Sequence, residues 1–258
     1  MNNTFNITRF GRLFVKHTAE HYKNYLMSLT VLMGVLVLGG SFLVYLMPGP
    51  LDVGVQSVLF VLILLLAGTM FTSTIFADYG DKNKAITSLT LPASHLEKFL
   101  VAWVYSYLLF QVIFTGSYYL VLLFLINVKH FPGQTSEMFN VFDNQGGGIL
   151  IYLVFALLHS IAFFGAIFFK KLHFIKTAFV FFISIAVLII INKIMLGILL
   201  GKEVMATPPF GDARLIENGK VSDIYLDHQD SSIVLWLMAV LVPIFWVAAY
   251  FRLKEKQV

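Results

Sequence analysis

The sequence predicts an all-α, polytopic membrane protein with six transmembrane helices and an N-terminal amphipathic interfacial helix. Three observations carry that expectation. Of the 258 residues, 59% are hydrophobic and only 12% charged, whereas an ordinary soluble domain carries about 25% charged residues. The charges are clumped, leaving uncharged runs of 30 residues between Lys98 and Lys129, 28 between Lys23 and Asp52, and 26 between Asp143 and Lys170. About 20 apolar residues suffice to cross a bilayer as a helix. The basic residues, finally, segregate to alternate connections. A water-soluble fold, a disordered chain and a nucleic-acid-binding module are excluded by this pattern, so no nucleic-acid partner is expected.

Residues 1–24 form the first element. At about 100° per residue, Arg9, Arg12, Lys16, Glu20 and Lys23 share one narrow sector, while Ile7, Phe10, Leu13, Phe14, Tyr22 and Tyr25 occupy the opposite side. A basic amphipathic helix of this kind lies in the membrane interface with its apolar face down. The spans follow at 25–47, 53–77, 99–128, 147–169, 177–200 and 232–251. They make up a transmembrane domain over residues 25–251, followed by a tail at 252–258. The first span lacks a small-residue cleavage pattern, so it is expected to stay as an anchor.

Orientation follows from the basic residues. Thirteen lie before the first span, in the loop 78–98, between the fourth and fifth spans, and after the sixth. Four lie on the other side: Lys129, Lys202, Arg214 and Lys220. Lysine and arginine accumulate in short cytoplasmic loops. Both termini and the loop 78–98 are therefore predicted to be cytoplasmic, and the loops 128–146 and 201–231 external. The net charge of +4 reads as topology rather than polyanion binding. The chain has no cysteine, which excludes disulfides, thiolate metal sites and cysteine nucleophiles.

The cytoplasmic loop carries the most specific signal. Ser94 and Glu97 have the spacing of a capping box, in which the serine side chain accepts the N3 N–H and the glutamate reaches back to the cap. Pro92 blocks an earlier start, so a helix begins near His95 and continues into the third span. Residues 81–90 have room for a short helix lying across the membrane surface.

With Leu89, Pro92, Ser94 and Glu97 in the string Ser-Leu-Thr-Leu-Pro-Ala-Ser-His-Leu-Glu, the chain resembles the permease subunits of ABC transporters of the type-2 exporter class. The resemblance extends to six spans, an amphipathic N-terminal helix, cytoplasmic termini and a long external loop between spans five and six. It departs at Asn83-Lys84-Ala85-Ile86, where the family usually has Gly-Thr-x-Glu. The resemblance implies that the loop, through Ile86, Leu89, Pro92, Ser94 and Glu97, docks on an ABC ATPase subunit. It further implies a homodimer or a heterodimer with a related permease, in a bacterial inner membrane and in contact with membrane lipid. The expected function is ATP-driven export of an amphipathic lipid, peptide or drug-like molecule. The alternative is a non-transporting membrane scaffold or sensor that recruits a cytoplasmic partner.

No cofactor is expected on this chain, because ATP and Mg would sit on the partner ATPase. A phosphate loop needs a Gly-rich turn ending in Gly-Lys-Ser/Thr, and the nearest string, Gly197-Ile-Leu-Leu-Gly-Lys-Glu203, has the wrong spacing and last residue. His17, Glu20 and His21 fit an H-x-x-E-H metallopeptidase pattern, but without an evident third ligand they are expected to be interfacial residues. No catalytic or metal residue is therefore expected.

Polar groups inside spans remain. Gln111 lies in the third span, His159 in the fourth, and Asn192 and Lys193 in the outer part of the fifth. An ionisable group buried in a membrane marks a functional site by default, so these four are candidates for a substrate path. Interhelical hydrogen bonding and snorkelling of Lys193 are the competing structural roles. Pro243 is expected to kink the sixth span, and the small residues of 67–74 to pack against a helix of the same subunit.

Overall fold

A computed structural model describes residues 5–76, 93–128, 137–143, 147–209, 211–217, 220–224 and 231–255. Six helices are long and apolar enough to cross a membrane. In chain order they are α1 (Ile7–Leu46), α2 (Val53–Thr74), α3 (His95–Val128), α4 (Gly148–Phe168), α5 (His173–Leu200) and α6 (Ser231–Glu255). The fold is a multi-pass helical bundle, as its composition requires. Only helices and closed barrels satisfy every backbone polar group in hydrocarbon.

The first helix departs from expectation. No break separates an interfacial helix from the first span; α1 is one helix of 40 residues. At 1.5 Å per residue it is about 60 Å long, twice the roughly 30 Å hydrocarbon core. The physical reason is local. The stretch from Lys16 to Tyr25 contains neither proline nor glycine, and nothing else there interrupts the ladder of i to i−4 bonds. Asn6 caps the start, its side chain accepting from Thr8 N–H at 2.9 Å and Arg9 N–H at 3.3 Å. Capping of this kind satisfies donors that no helical carbonyl can reach.

Helix α3 runs parallel to α1, both leading away from the chain's inner side in the predicted orientation. Its start is the expected capping box, with Glu97 N–H donating to Ser94 Oγ at 3.2 Å and Ser94 N–H donating to Glu97 Oε2 at 2.9 Å. Between Val104 and Leu109 it widens into a π-helical segment. Helix α6 stays one helix through Pro243.

Packing divides the core in two. Phe60, Phe114, Tyr118, Phe155 and Leu122 fill the bundle between α2, α3 and α4. Phe76, Phe99, Phe163, Ala249 and Leu253 fill a second cluster near the start of α3 and the ends of α4 and α6. Gly68 shows how tightly the first is closed. A Cβ there would lie 2.3 Å from a ring carbon of Phe155 and 2.9 Å from one of Phe110. The small residues of 67–74 thus serve packing inside the chain, with Thr72 and Ser73 buried beside them.

Helix α5 is the exception to this burial. Of its 28 residues only Thr177 is buried. That threonine lies against α4 at Gly165, where a Cβ would meet its Oγ1 at 1.9 Å. The turn from α4 into α5 passes through Leu172 in the left-handed region, φ 55°, a conformation that costs a side-chain-bearing residue about 1–2 kcal/mol.

Between α5 and α6 the chain forms a small antiparallel sheet, β1 (Glu203–Val204), β2 (Ala213–Glu217) and β3 (Lys220–Ile224), in the order β1-β2-β3. Arg214 stands opposite Asp223 and pairs with it at 3.3 Å. The sequence predicts only a long external loop over this segment.

Candidate functional site

The start of α3 carries a densely connected polar site. Glu97 is fully buried. Its Oε1 accepts from Asn6 N–H at 2.8 Å, from Arg9 Nε–H at 3.2 Å and from Arg9 Nη2–H at 2.9 Å, while Oε2 accepts from Ser94 N–H at 2.9 Å. All four partners are donors, so the acceptor-only ionised carboxylate is the form that fits. Removing a charge from water is expensive unless it is paired and hydrogen-bonded, and here it is both.

The same carboxylate therefore performs two tasks: it completes the cap of α3 and fixes the beginning of α1 to it. Its oxygens face the chain's own groups rather than a surface. Arg9 retains partial exposure, its side chain 32% accessible. Of the other expected docking residues, Ser94 is buried as the cap, and Ile86, Leu89 and Pro92 lie outside the described residues.

Further along the α1–α3 seam lies a ring cluster. Phe14 stacks on Tyr105 at 4.8 Å between centroids, and Tyr25 stacks on the same ring at 5.3 Å. Thr18 Oγ1 and the Tyr105 hydroxyl are hydrogen-bonded. His17 and His21 stack on each other at 4.4 Å, and His17 Nε2 lies 2.6 Å from the Tyr25 hydroxyl. Glu20 turns to Lys16 instead, at 3.6 Å. His17 also packs on the Tyr105 ring at 4.8 Å, so the H-x-x-E-H string forms part of the seam between α1 and α3.

Deeper in the bundle, His159 is fully buried in α4. Trp246 Nε1–H of α6 donates to its Nδ1 at 3.2 Å. An indole N–H can only donate, so Nδ1 is the acceptor and Nε2 carries the proton. Nε2–H then donates to Ser106 Oγ at 2.9 Å, and the serine hydroxyl donates to the Ala102 carbonyl at 2.8 Å. The chain Trp246 to His159 to Ser106 to Ala102 ties α6 and α4 to α3, where Ser106 lies in the π-helical segment and Ala102 just before it. Every polar atom of His159 is used, which is the interhelical glue expected of polar groups in membranes.

The other path candidates lie elsewhere. Gln111 is half-buried in α3, where its side chain interacts with Tyr107 one turn earlier on the same helix. Asn192 in α5 donates from Nδ2 to the Thr207 carbonyl at 3.1 Å, tethering the segment after β1 to the C-terminal half of the helix. Lys193 beside it is exposed. The structure therefore brings Gln111 and His159 to the α3 side of the bundle, and gives Asn192 and Lys193 a separate place on α5.

One polar knot was missed by the sequence reading. Gln56, three residues into α2, is fully buried. Its Nε2 donates to the carbonyls of Leu51 at 2.7 Å and Glu137 at 2.8 Å, and its Oε1 accepts from Phe139 N–H at 2.8 Å. Tyr118 OH donates to the Gln56 carbonyl at 2.6 Å. This side chain sews the loop at 137–139 onto the ends of α2 and α3. The signal was available: a lone amide in an apolar run, as at Gln111.

No protein-family model, curated protein or solved structure matches the chain. The functional reading therefore rests on the residues.

Proposed function

We propose that this chain is the membrane-spanning permease subunit of an ATP-driven ABC exporter in a bacterial inner membrane. In this reading both termini are cytoplasmic and ATP and Mg are held by a separate ATPase subunit. Two such subunits, identical or related, would form the pathway for an amphipathic substrate. The observation that carries the reading is the Glu97 clamp. The residue at the end of the Leu-x-x-Pro-x-Ser-x-x-Glu string caps α3 and at the same time holds Asn6 and Arg9 of α1. An ATPase pushing on the loop 78–98 would thus move two membrane helices together. Such a joint is what conversion of a cytoplasmic push into helix tilt requires.

The test is purification of the tagged chain in mild detergent, with identification of what accompanies it. The expected result is a stoichiometric ABC ATPase whose hydrolysis rate rises when both are reconstituted in vesicles. A different stoichiometric partner without ATPase activity would replace this reading with a scaffold or sensor.

A further inference from the structure

The turn between α4 and α5 gathers positive charge that the chain does not neutralise. Lys170, Lys171 and Lys176 follow one another closely there, and all three are exposed. No Asp or Glu occurs between Asp143 and Glu203, so neither helix supplies a counter-ion. The end of α6 carries Glu255, but that carboxylate is taken by Arg252 at 2.7 Å. On α1 the charges are matched: Arg9 pairs with Glu97 and Lys16 with Glu20. Among the described residues no carboxylate pairs with the three lysines of the turn.

The lysines stand at the head of an apolar surface. Lys176 Nζ lies 5.9 Å from the centre of the Phe169 ring, a contact that draws a cation to an aromatic face. Phe169 meets Phe168 edge to face at 5.2 Å between centroids, and the Arg252 guanidinium lies 5.1 Å from the Phe168 ring. Phe168 and Leu172 are exposed, and Ile175, Phe179 and Phe182 continue the exposed surface along α5 at steps of four and three. That spacing keeps them on one helix face. Only Thr177 of this helix is buried, so the face is open to the bilayer along its length.

Charge and apolar surface together select the occupant. A water-soluble anion would match the lysines and leave the face bare. A zwitterionic lipid would cover the face and leave the charge unmatched. A lipid with a net negative head satisfies both in one molecule, and basic clusters between membrane helices recognise such heads.

We infer that the α4–α5 turn binds an anionic glycerophospholipid. Lys170, Lys171 and Lys176 hold its phosphate, and one acyl chain lies along Ile175, Phe179 and Phe182. The site is separate from the Glu97 clamp and needs no ATPase, so it is independent of the exporter reading.

The test counts bound lipid. The full chain, stripped of lipid in an uncharged maltoside detergent, is titrated with dioleoyl phosphatidylglycerol or with dioleoyl phosphatidylcholine. Native mass spectrometry reads the population carrying one lipid, and the identical acyl chains isolate the effect of the head. Each basic residue near an anionic head contributes about fivefold in affinity. Two lysines in reach of the phosphate therefore predict a preference of about 25-fold for phosphatidylglycerol. Replacing Lys170, Lys171 and Lys176 together by Gln should lower that preference by about fivefold or more. Replacing all three by Arg should retain it. Replacing Arg12, Lys16 and Lys23 of α1 by Gln changes the net charge equally and should also leave it intact. A starting preference under about fivefold, a smaller loss in the glutamine variant of the turn, or a loss shared by the arginine or α1 variant would overturn the inference.

Discussion

Replacing Glu97 by Gln changes almost no volume yet should free the start of α1. The carboxylate sits among four N–H groups from Asn6, Arg9 and Ser94. The amide can offer one oxygen and must turn its NH2 toward donors at the other end. The cheaper orientation keeps the oxygen on Asn6 and Arg9, sacrifices the Ser94 bond and opposes two N–H groups. Hydrogen bonds to charged groups contribute about 1.5–3 kcal/mol, and the lost charge weakens those that remain. Arg9 is 32% accessible and recovers part of its hydration, so the net loss is about 2 kcal/mol. If opening is local, that is roughly a 30-fold rise in amide exchange for the affected segment. Hydrogen exchange read by mass spectrometry in nanodiscs should show the rise in peptides covering 6–12 and 94–98, with α4 and α5 unchanged. Unaltered protection at both sites in Glu97→Gln would refute the clamp, as would a uniform loss over the whole chain.

Three further outcomes are expected. A cysteine replacing Ser222 in β3 should react with an impermeant maleimide from outside intact cells, and one replacing Asn83 only after permeabilisation; the reverse would invert the topology. Ser106→Ala removes the acceptor of His159 Nε2–H and should destabilise the detergent-solubilised protein by about 1–3 kcal/mol, the penalty for a buried unsatisfied group. Measured in a double-mutant cycle with Trp246→Phe, the two losses should be non-additive, because both substitutions act on one ring. Gly68→Val sets methyl groups where Phe155 and Phe110 already lie and should cost about 1–3 kcal/mol by overpacking, read as a lowered midpoint of thermal unfolding.

The spans were legible because membrane insertion is decided by local composition. Every expected span falls on a helix, with ends displaced by a few residues except that α1 begins at Ile7, well before its span. The Ser94–Glu97 cap was legible for the same reason, since both partners lie within one turn. The division of α1 failed because hydropathy reports environment and not backbone continuity. The chain changes surroundings near Lys23 without ceasing to be helical. Arg9 and Glu97 are 88 positions apart, and no periodicity reports such a pairing. His159 and Gln111 were recognisable as polar residues in apolar runs, but their partners were not: His159 meets Ser106 and Trp246 on other helices, and Gln111 meets Tyr107 on its own. The short sheet escaped notice because β2 and β3 are only five residues each and lie between polar segments without clear alternation.

The length of α1 has a mechanical meaning. About half of its roughly 60 Å exceeds the hydrocarbon core, and the excess is bound to α3 at two levels, Arg9 to Glu97 and Phe14 to Tyr105, with Tyr25 on the same Tyr105 ring where the span begins. Near the opposite end, Gly40 lets Leu125 of α3 come against the α1 backbone, where a Cβ would stand 2.3 Å from its Cδ1. Two parallel rods joined at both ends behave as one beam. A sideways force on its protruding end is not absorbed by bending but appears as rotation about the bilayer, with an arm on the near side comparable to the membrane's own thickness. In the exporter reading, a small displacement at Asn6 would then reach the region of Gly40 reversed in direction.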